Sequence, residues 1–347
     1  MARSSRATRL ARHRAPGRSH GPAVRRSLWI VPAFAIGALA PPQPIELAKP
    51  IDCALASSCF IQQYFDHDPG PGARDFRCGS RSYDGHDGVD IRVPDMATLR
   101  RGVGIIASAP GIVRNIRDGE EERFPGSEGP PAPKGRECGN GVVIAHAGGW
   151  ETQYCHMRRG SVTVRPGQAV SAGERLGFVG LSGDTQFPHL HFSVRQGATK
   201  VDPFAYGQAR DSCGSAVSLW SRAAGTEMRY ERAQILNAGF ASGPVSMREV
   251  EDGAFATVAT RRDPIVFYAR AIGLEAGDVL RLTVLAPGGD PLVRDDTPID
   301  RPMAQYLAYA GRRSPASGWA RGRYVGRCEV LRHGKVLTVG ERTLLLE

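Results

Sequence analysis

The chain of 347 residues lacks several features that would mark particular protein classes. It has no CxxC pair, which argues against a zinc knuckle built on paired thiolates. Its composition, with 41% hydrophobic and 23% charged residues, is neither that of a disordered chain nor that of a collagen-like repeat. A packed fold is therefore expected, and the length is sufficient for two domains with a core each.

Residues 1–40 contain no aspartate or glutamate, yet they carry eight of the 45 basic residues. Without these eight arginines, 37 basic residues stand against 35 acidic ones, so the formal charge of +10 falls to +2 for the rest of the chain. This near-neutral body shows no recognition motif for DNA or RNA, and we predict no nucleic-acid partner.

The same forty residues have the order of an export signal, with a basic stretch followed by an apolar run at residues 28–40. A run of thirteen residues is shorter than the roughly 20 that a membrane-spanning helix needs. We therefore predict a signal peptide or N-terminal anchor at 1–40 and export to the periplasm or cell envelope. Any membrane association is expected only through this leader.

Seven cysteines in an exported chain predict disulfide bonds, with one cysteine left over. The pairing cannot be read from the sequence. Cys53 and Cys59 are nevertheless close enough along the chain to close a small loop.

Short β-type runs separated by turn signals predict a mainly β, antiparallel fold. We expect a linker and Cys-bearing extension at 41–79, a β-rich domain at 80–210 and a small β-sandwich-like domain at 236–347. Residues 117–138 are rich in acidic residues, proline and glycine, and they predict one long loop at the rim of a site.

His86 and Asp90 form an HxxxD motif in the segment YDGHDGVDI. Gly85 and Gly88 allow the backbone to approach an ion closely, and imidazole with carboxylate is an ordinary ligand set for zinc. The motif alone is weak, because many histidines and aspartates near turns only face solvent.

His189 and His191 stand two apart in the segment FPHLHFSV. Residues two apart on a strand share one face, so the two imidazoles are expected side by side, with Leu190 and Phe192 packed behind them. Two buried imidazoles need polar partners, and a metal with its bound water would satisfy both.

His156 lies in a third β-type run, QYCHM. Strand alternation predicts that Tyr154 and His156 share one face and that Cys155 faces the other way, towards packing or a disulfide. This disfavours a Cys–His nucleophile, since the two groups would diverge.

These three motifs, in the order HxxxD, YxH context and HxH, resemble the lysostaphin and LytM-type family of zinc murein endopeptidases. The resemblance covers roughly residues 80–205. It extends through GNGVVIAHAGGWETQYCHM and RPGQAVSAGERLGFVGLSGDTQFPHLHFSVRQ to the trailing VDP. Departures are the insertion at 117–138, Cys155 where a small residue is usual and Met157 where leucine is usual.

The resemblance implies that one Zn²⁺ per chain is held by His86, Asp90 and His191. Three protein ligands leave a fourth tetrahedral position for water, as catalytic zinc requires. By the same resemblance His156 and His189 act on substrate and water, and which of them is the general base remains open.

Asn140 is a secondary candidate, because the asparagine of the family's Gly-Asn pair helps to line the substrate cleft.

The implied activity is hydrolysis of peptide cross-links or stem peptides of bacterial peptidoglycan. The predicted bond joins D-alanine to meso-diaminopimelate, although some relatives cut glycyl bridges. The main alternative is a non-catalytic, zinc-binding activator of another cell-wall hydrolase. Two further alternatives are a module whose C-terminal domain binds a protein partner and a secreted protease of general specificity.

Overall fold

Paired strands run antiparallel throughout the described part of the molecule. The computed structural model describes residues 43–123, 132–209, 211–214 and 216–347. The predicted leader at 1–40 lies outside the described residues, as do residues 124–131 of the predicted loop. Within the described ranges no helix is both long and apolar enough to cross a membrane.

The described residues of the first half form eleven strands and two short α-helices. In chain order these are β1 (Ile51–Asp52), β2 (Phe60–Gln63), β3 (Val89–Arg92), α1 (Met96–Arg101), β4 (Gly104–Ile106), β5 (Gly111–Arg117), β6 (Asn140–Ala145), β7 (Trp150–Met157), β8 (Ala169–Val170), β9 (Arg175–Phe178), β10 (His189–Gln196), β11 (Thr199–Val201) and α2 (Arg222–Glu227).

The second half contains seven strands and one short helix. These are β12 (Gln234–Ala241), α3 (Met247–Asp252), β13 (Ile265–Leu274), β14 (Asp278–Leu285), β15 (Pro291–Pro298), β16 (Met303–Arg312), β17 (Gly322–Arg332) and β18 (Lys335–Leu346).

An eight-stranded sheet in the order β2-β3-β10-β7-β6-β5-β8, with β11 added beside β10, forms the body of the first half. A smaller sheet, β1-β4-β9, packs with it over one core. Strand β10 shows why these residues form this structure: Leu190, Phe192 and Val194 are buried on the core side, while His189, His191 and Ser193 alternate with them. The alternation leaves one face of the sheet free to carry polar groups.

Two further sheets, β12-β13-β16 and β15-β14-β17-β18, share a second core. On β14 every second residue is buried, including Leu280, Leu282 and Val284, which is the pattern of a strand with one face in a core. The predicted mainly β, antiparallel fold and its C-terminal sandwich are confirmed. The domain limits 80–210 and 236–347 stay predictions.

Strand β2 lies within the segment that the sequence assigns to a linker, and it pairs with β3 at the edge of the large sheet. Its Phe60 packs against Leu236 and Ile272 of the C-terminal half. The described residues thus form one compact unit in which the sandwich adjoins the edge of the large sheet.

Three disulfides join Cys53 to Cys59, Cys78 to Cys213 and Cys138 to Cys155. The prediction of disulfides with one cysteine left over is confirmed, since Cys328 is free and buried. The Cys138–Cys155 bond ties the end of the long loop to β7, so two departures from the family pattern form a single feature.

Candidate metal centre

Three neighbouring strands of the large sheet bring the predicted site residues together. In the order β3-β10-β7, Asp90 lies opposite His191, and His191 lies opposite Cys155. His86 stands in the turn that leads into β3, and His156 is the next residue along β7. Segments far apart in the chain therefore place five polar side chains at one position on the sheet.

His86, Asp90 and His191 form a compact group of possible ligands. Oδ1 of Asp90 is 3.1 Å from Nε2 of His86 and 2.8 Å from Nδ1 of His191. The two imidazole nitrogens are 3.3 Å apart. All three inner atoms thus face one small volume.

The outer nitrogen of each imidazole is held by another group. Nδ1 of His86 donates to the backbone carbonyl of Tyr64 over 2.6 Å. Nε2 of His191 lies 2.9 Å from Oγ of Ser193 and 3.4 Å from Oδ1 of Asp87. Such contacts fix the ring orientation and direct the lone pair of the inner nitrogen into the site.

The donor set fits a divalent zinc ion. Tetrahedral zinc with bonds of about 2.0–2.1 Å places neighbouring ligand atoms about 3.3 Å apart. The three observed separations are 2.8, 3.1 and 3.3 Å. With their outer nitrogens anchored, the inner nitrogens of the two imidazoles face each other and a carboxylate, an arrangement that a cation stabilises.

His156 and His189 lie beside this group, with ring centroids 4.6 Å apart. Nδ1 of His156 donates to the carbonyl of Ser182 over 2.9 Å, and Nδ1 of His189 donates to the carbonyl of Phe187 over 2.8 Å. Nε2 of His189 is 3.5 Å from Oδ1 of Asp90. Both rings therefore lie next to the three possible ligands, with Nδ1 bound to a backbone carbonyl.

The predicted alternation along β7 is wrong at this point. Tyr154 is fully buried in the core, whereas Cys155 and His156 both line the cleft. The physical reason is the backbone of His156, which has φ of +59° and interrupts the strand geometry. Cys155 is still structural, as predicted, because its sulfur is bonded to Cys138.

A left-handed, non-glycine residue inside a strand costs on the order of 1–3 kcal/mol, so its surroundings must hold it in place. The backbone N–H of His156 donates to the carbonyl of Cys138, and its carbonyl accepts from Gly180. The Cys138–Cys155 bond sits immediately before it. These contacts turn the imidazole of His156 towards His189.

Burial and mutual charge shape the ionisation of the site. Burial alone would raise the pKa of Asp90, but His86, His189 and His191 hold it well below its usual range. Burial, reinforced by His189 and His191, lowers the pKa of His156 well below its ordinary value. Asp90 is therefore a carboxylate and His156 a neutral acceptor at neutral pH.

His191 behaves in the opposite way. Burial would lower its pKa, but the hydrogen bonds to Asp87 and Asp90 raise it to about 9. Without a metal, a proton on this ring takes the place of the cation between the carboxylates.

Sequence reasoning missed the groups that orient these rings. Ser193 stands two residues after His191 on the same strand face, and Asp87 follows His86 directly, so both had a positional signal in the sequence. Ser182 and Phe187 act through carbonyl oxygens, which no side-chain motif reveals.

Asn140 has a different place from the one that the resemblance implies. It is fully buried behind the cleft wall. Its Oδ1 accepts from the backbone N–H groups of Gly119 and Glu120, while its Nδ2 donates to carbonyls of Glu120 and Met157. In this structure Asn140 supports the start of the long loop.

The cleft beside the site is walled partly by the described ends of the long loop, including Arg117 and Glu137. Its floor continues along β10 from His191 through Ser193 to Arg195. The guanidinium of Arg195 donates to Oε1 of Gln153. This end of the cleft therefore presents a guanidinium group.

Comparison with known proteins identifies a matching family and several relatives. Residues 84–203 match the model described as "Peptidase family M23". A 117-residue segment is 34% identical to the cell division protein DipM of Caulobacter vibrioides, covering 34% of this chain and 15% of that protein. A 118-residue segment is 33% identical to the DD-carboxypeptidase/endopeptidase Mpg of Neisseria meningitidis, covering 34% of this chain and 22% of that protein.

Among solved structures, the catalytic domain of lysostaphin from Staphylococcus simulans is 20% identical, with 41% of this chain and 85% of that chain covered and a TM-score of 0.26. A similarity at this level is too low to decide the fold. The chain matches DipM and Mpg over less than a quarter of the length of those proteins.

Proposed function

We propose that the chain is a zinc-dependent endopeptidase of bacterial peptidoglycan, starting from the match of residues 84–203 to peptidase family M23. The observation that carries the proposal is the convergence of His86, Asp90 and His191, with their inner atoms 2.8–3.3 Å apart. The names of relatives such as the peptidoglycan DD-endopeptidase ShyA of Vibrio cholerae support the substrate class.

His86, Asp90 and His191 would hold one zinc ion per chain. When bound, zinc lowers the pKa of water and polarises a scissile carbonyl. The ligand set contains one carboxylate, which leaves net positive charge on a divalent ion. Tyr64, Ser193 and Asp87 keep the two imidazoles in the ligating tautomer.

His156 and His189 supply the proton chemistry in this proposal. Each ring has its Nδ1–H bound to a carbonyl, Nε2 of His189 lies 3.5 Å from Oδ1 of Asp90, and the ring of His156 lies beside that of His189. An imidazole placed in this way accepts a proton from the attacking water and returns it to the leaving amine, or stabilises the developing oxyanion. The burial of both rings keeps bulk water from competing for these nitrogens.

Arg195 favours a substrate that carries a free carboxylate. At about 3.3 Å per residue, Arg195 lies about 13 Å along β10 from His191, on the same strand face. A stem peptide with meso-diaminopimelate presents carboxylates that a guanidinium binds well, whereas a glycyl bridge presents none. We therefore place the cut at the D-alanyl–meso-diaminopimelate bond.

The proposed location is the periplasm or cell envelope. Three disulfides suit an oxidising compartment, and the predicted leader supplies a route of export. A protein partner for the C-terminal sandwich stays a prediction.

The test is digestion of purified sacculi that contain meso-diaminopimelate, with mass analysis of the released peptides. We expect the zinc-loaded wild type to cut the cross-links and His191→Ala to release nothing. A protein that binds zinc stoichiometrically but leaves the sacculi intact would support the non-catalytic activator instead. Cleavage of casein without cleavage of wall peptides would point to a general protease.

The carboxylate preference has its own test in Arg195→Gln. We expect a loss of about tenfold or more in kcat/KM on the cross-linked peptide, as for removal of one charge-assisted hydrogen bond. Amidation of the substrate carboxylates should cause a similar loss in the wild type and little further loss in the variant. Equal rates on free and amidated peptides would contradict the preference.

A further inference from the structure

A buried cluster of charges links the C-terminal half to the large sheet. Glu251, near the end of α3, forms ion pairs with both Arg92 of β3 and Arg270 of β13. Nη2 of Arg92 lies 3.2 and 3.0 Å from the two carboxylate oxygens of Glu251. Both guanidiniums are fully buried and Glu251 is 6% exposed.

The rest of the Arg92 guanidinium is also held by partners from both halves of the molecule. Its Nη1 donates to Oε1 of Gln62 over 2.7 Å and to Oε1 of Gln305 over 3.1 Å. A planar, rigid guanidinium with this many partners has one orientation, because any other would leave buried polar groups unpaired.

Arg92 lies on the site side of β3. It follows Asp90 by two residues and pairs in register with His189 of β10. Its guanidinium carbon stands over the ring of Phe187, 4.6 Å from the centroid, in a cation–π contact.

Phe187 in turn contacts His189 twice. Its carbonyl accepts the Nδ1–H of His189 over 2.8 Å, and its ring lies 4.6 Å from the imidazole, tilted by 35°. The hydroxyl of Thr185 donates to the same carbonyl over 2.8 Å. The position of Phe187 therefore sets both the tautomer and the tilt of His189.

We propose that Glu251 and Arg92 are positioning residues for His189, so that the C-terminal half of the chain completes the site through Phe187. This assignment rests on the proposed function only for the chemistry of His189. The contacts themselves run from Glu251 to Arg92, from Arg92 to Phe187 and from Phe187 to His189. A role for the C-terminal half in the site follows.

The test compares Glu251→Gln with Asp252→Asn in the full chain. Asp252 is the next residue on α3, and its substitution removes the same charge without touching Arg92. We expect Glu251→Gln to lower kcat about tenfold, the scale of changes that orient a ligating or reacting group, with KM and zinc stoichiometry unchanged. Asp252→Asn should match the wild type.

A second readout does not need turnover. In the metal-free protein, ¹H–¹⁵N spectra of labelled histidine rings should show a shift of the His189 signals in Glu251→Gln and none in Asp252→Asn. If Glu251→Gln does not fold, Glu251→Asp keeps the counter-charge but shortens its reach, and the same kcat loss and His189 shift are expected.

Two outcomes overturn the assignment. In the first, the wild type is active and the Glu251 variant unfolds at a lower temperature but keeps its kcat and its His189 signals. Glu251 would then have a structural role alone. The other is an equal effect of Asp252→Asn. A wild type that cuts no wall peptide contradicts the proposed function instead, and the spectra still decide whether Glu251 orients His189.

Discussion

The two halves of the molecule treat buried charge differently. In the C-terminal sandwich, buried Asp278 accepts two hydrogen bonds from Arg332, over 2.7 and 2.8 Å, so its charge is matched within the chain. In the candidate metal centre, buried Asp90 faces imidazoles whose outer nitrogens are already anchored elsewhere. The sandwich thus neutralises its buried charge within the chain, whereas the candidate metal centre gathers ligand atoms that a cation can bind.

The largest expected effect is loss of the metal together with activity in His191→Ala. Removal of one of three protein ligands should abolish stoichiometric zinc binding and reduce peptide release to background. His156→Ala should keep the zinc and lose about 10²–10⁴-fold in kcat, because only proton transfer is removed. Zinc content and kcat, measured together, check both, and equal zinc loss in the two variants would contradict the division of roles.

In the sandwich, replacement of the buried carboxylate of Asp278 should affect stability alone. Asp278→Ala leaves partly buried Arg332 with Glu275 at 2.8 Å and removes two charge-assisted hydrogen bonds, so a loss of about 2 kcal/mol in the free energy of unfolding is expected. Urea denaturation measures this loss. Zinc stoichiometry should not change. A fall in zinc content would contradict the view that this charge pair serves folding alone.

The Cys138–Cys155 bond is expected to affect both the stability of the fold and the geometry of the site. The double variant Cys138→Ala/Cys155→Ala should lose up to about 3 kcal/mol of stability, as for a closed loop of this length, and its kcat should fall because His156 loses its clamp. The matched control is Cys53→Ala/Cys59→Ala, which removes a disulfide remote from His156 and should leave kcat unchanged. Equal kcat in both double variants would mean that the bond only stabilises.

The smallest expected effect is the pH dependence of zinc affinity. The pKa of His191 in the metal-free site is about 9, so below that pH a proton must leave before zinc binds. Affinity should therefore fall by about tenfold for each pH unit below 9 through this group. Calorimetry in buffers of different ionisation enthalpy measures the released proton, and an affinity that is flat between pH 7 and 9 would be inconsistent with it.

Much of the site follows from short-range patterns. The parity of His189 and His191 correctly places both imidazoles on one strand face, and the alternation of β14 correctly predicts a half-buried strand. The position of His156 does not follow, because its left-handed backbone depends on Cys138 and Gly180, which reach it only in the folded state.

The contribution of Glu251 is likewise invisible in the sequence. It lies 159 positions from Arg92, on a helix of six residues without any motif for chemistry. Arg92 itself had a signal, since a charged residue two positions after Asp90 must share its face. Partners that are distant in sequence are set by packing between the halves, which local patterns do not encode.

The bond between His86 and the Tyr64 carbonyl bears on how the catalytic part could be excised. The family match begins at residue 84, after β2 and after Tyr64. A fragment cut at that limit would leave Nδ1 of His86 without its acceptor and expose the edge of β3 to neighbouring molecules. A fragment that keeps the candidate metal centre intact would have to start before Phe60.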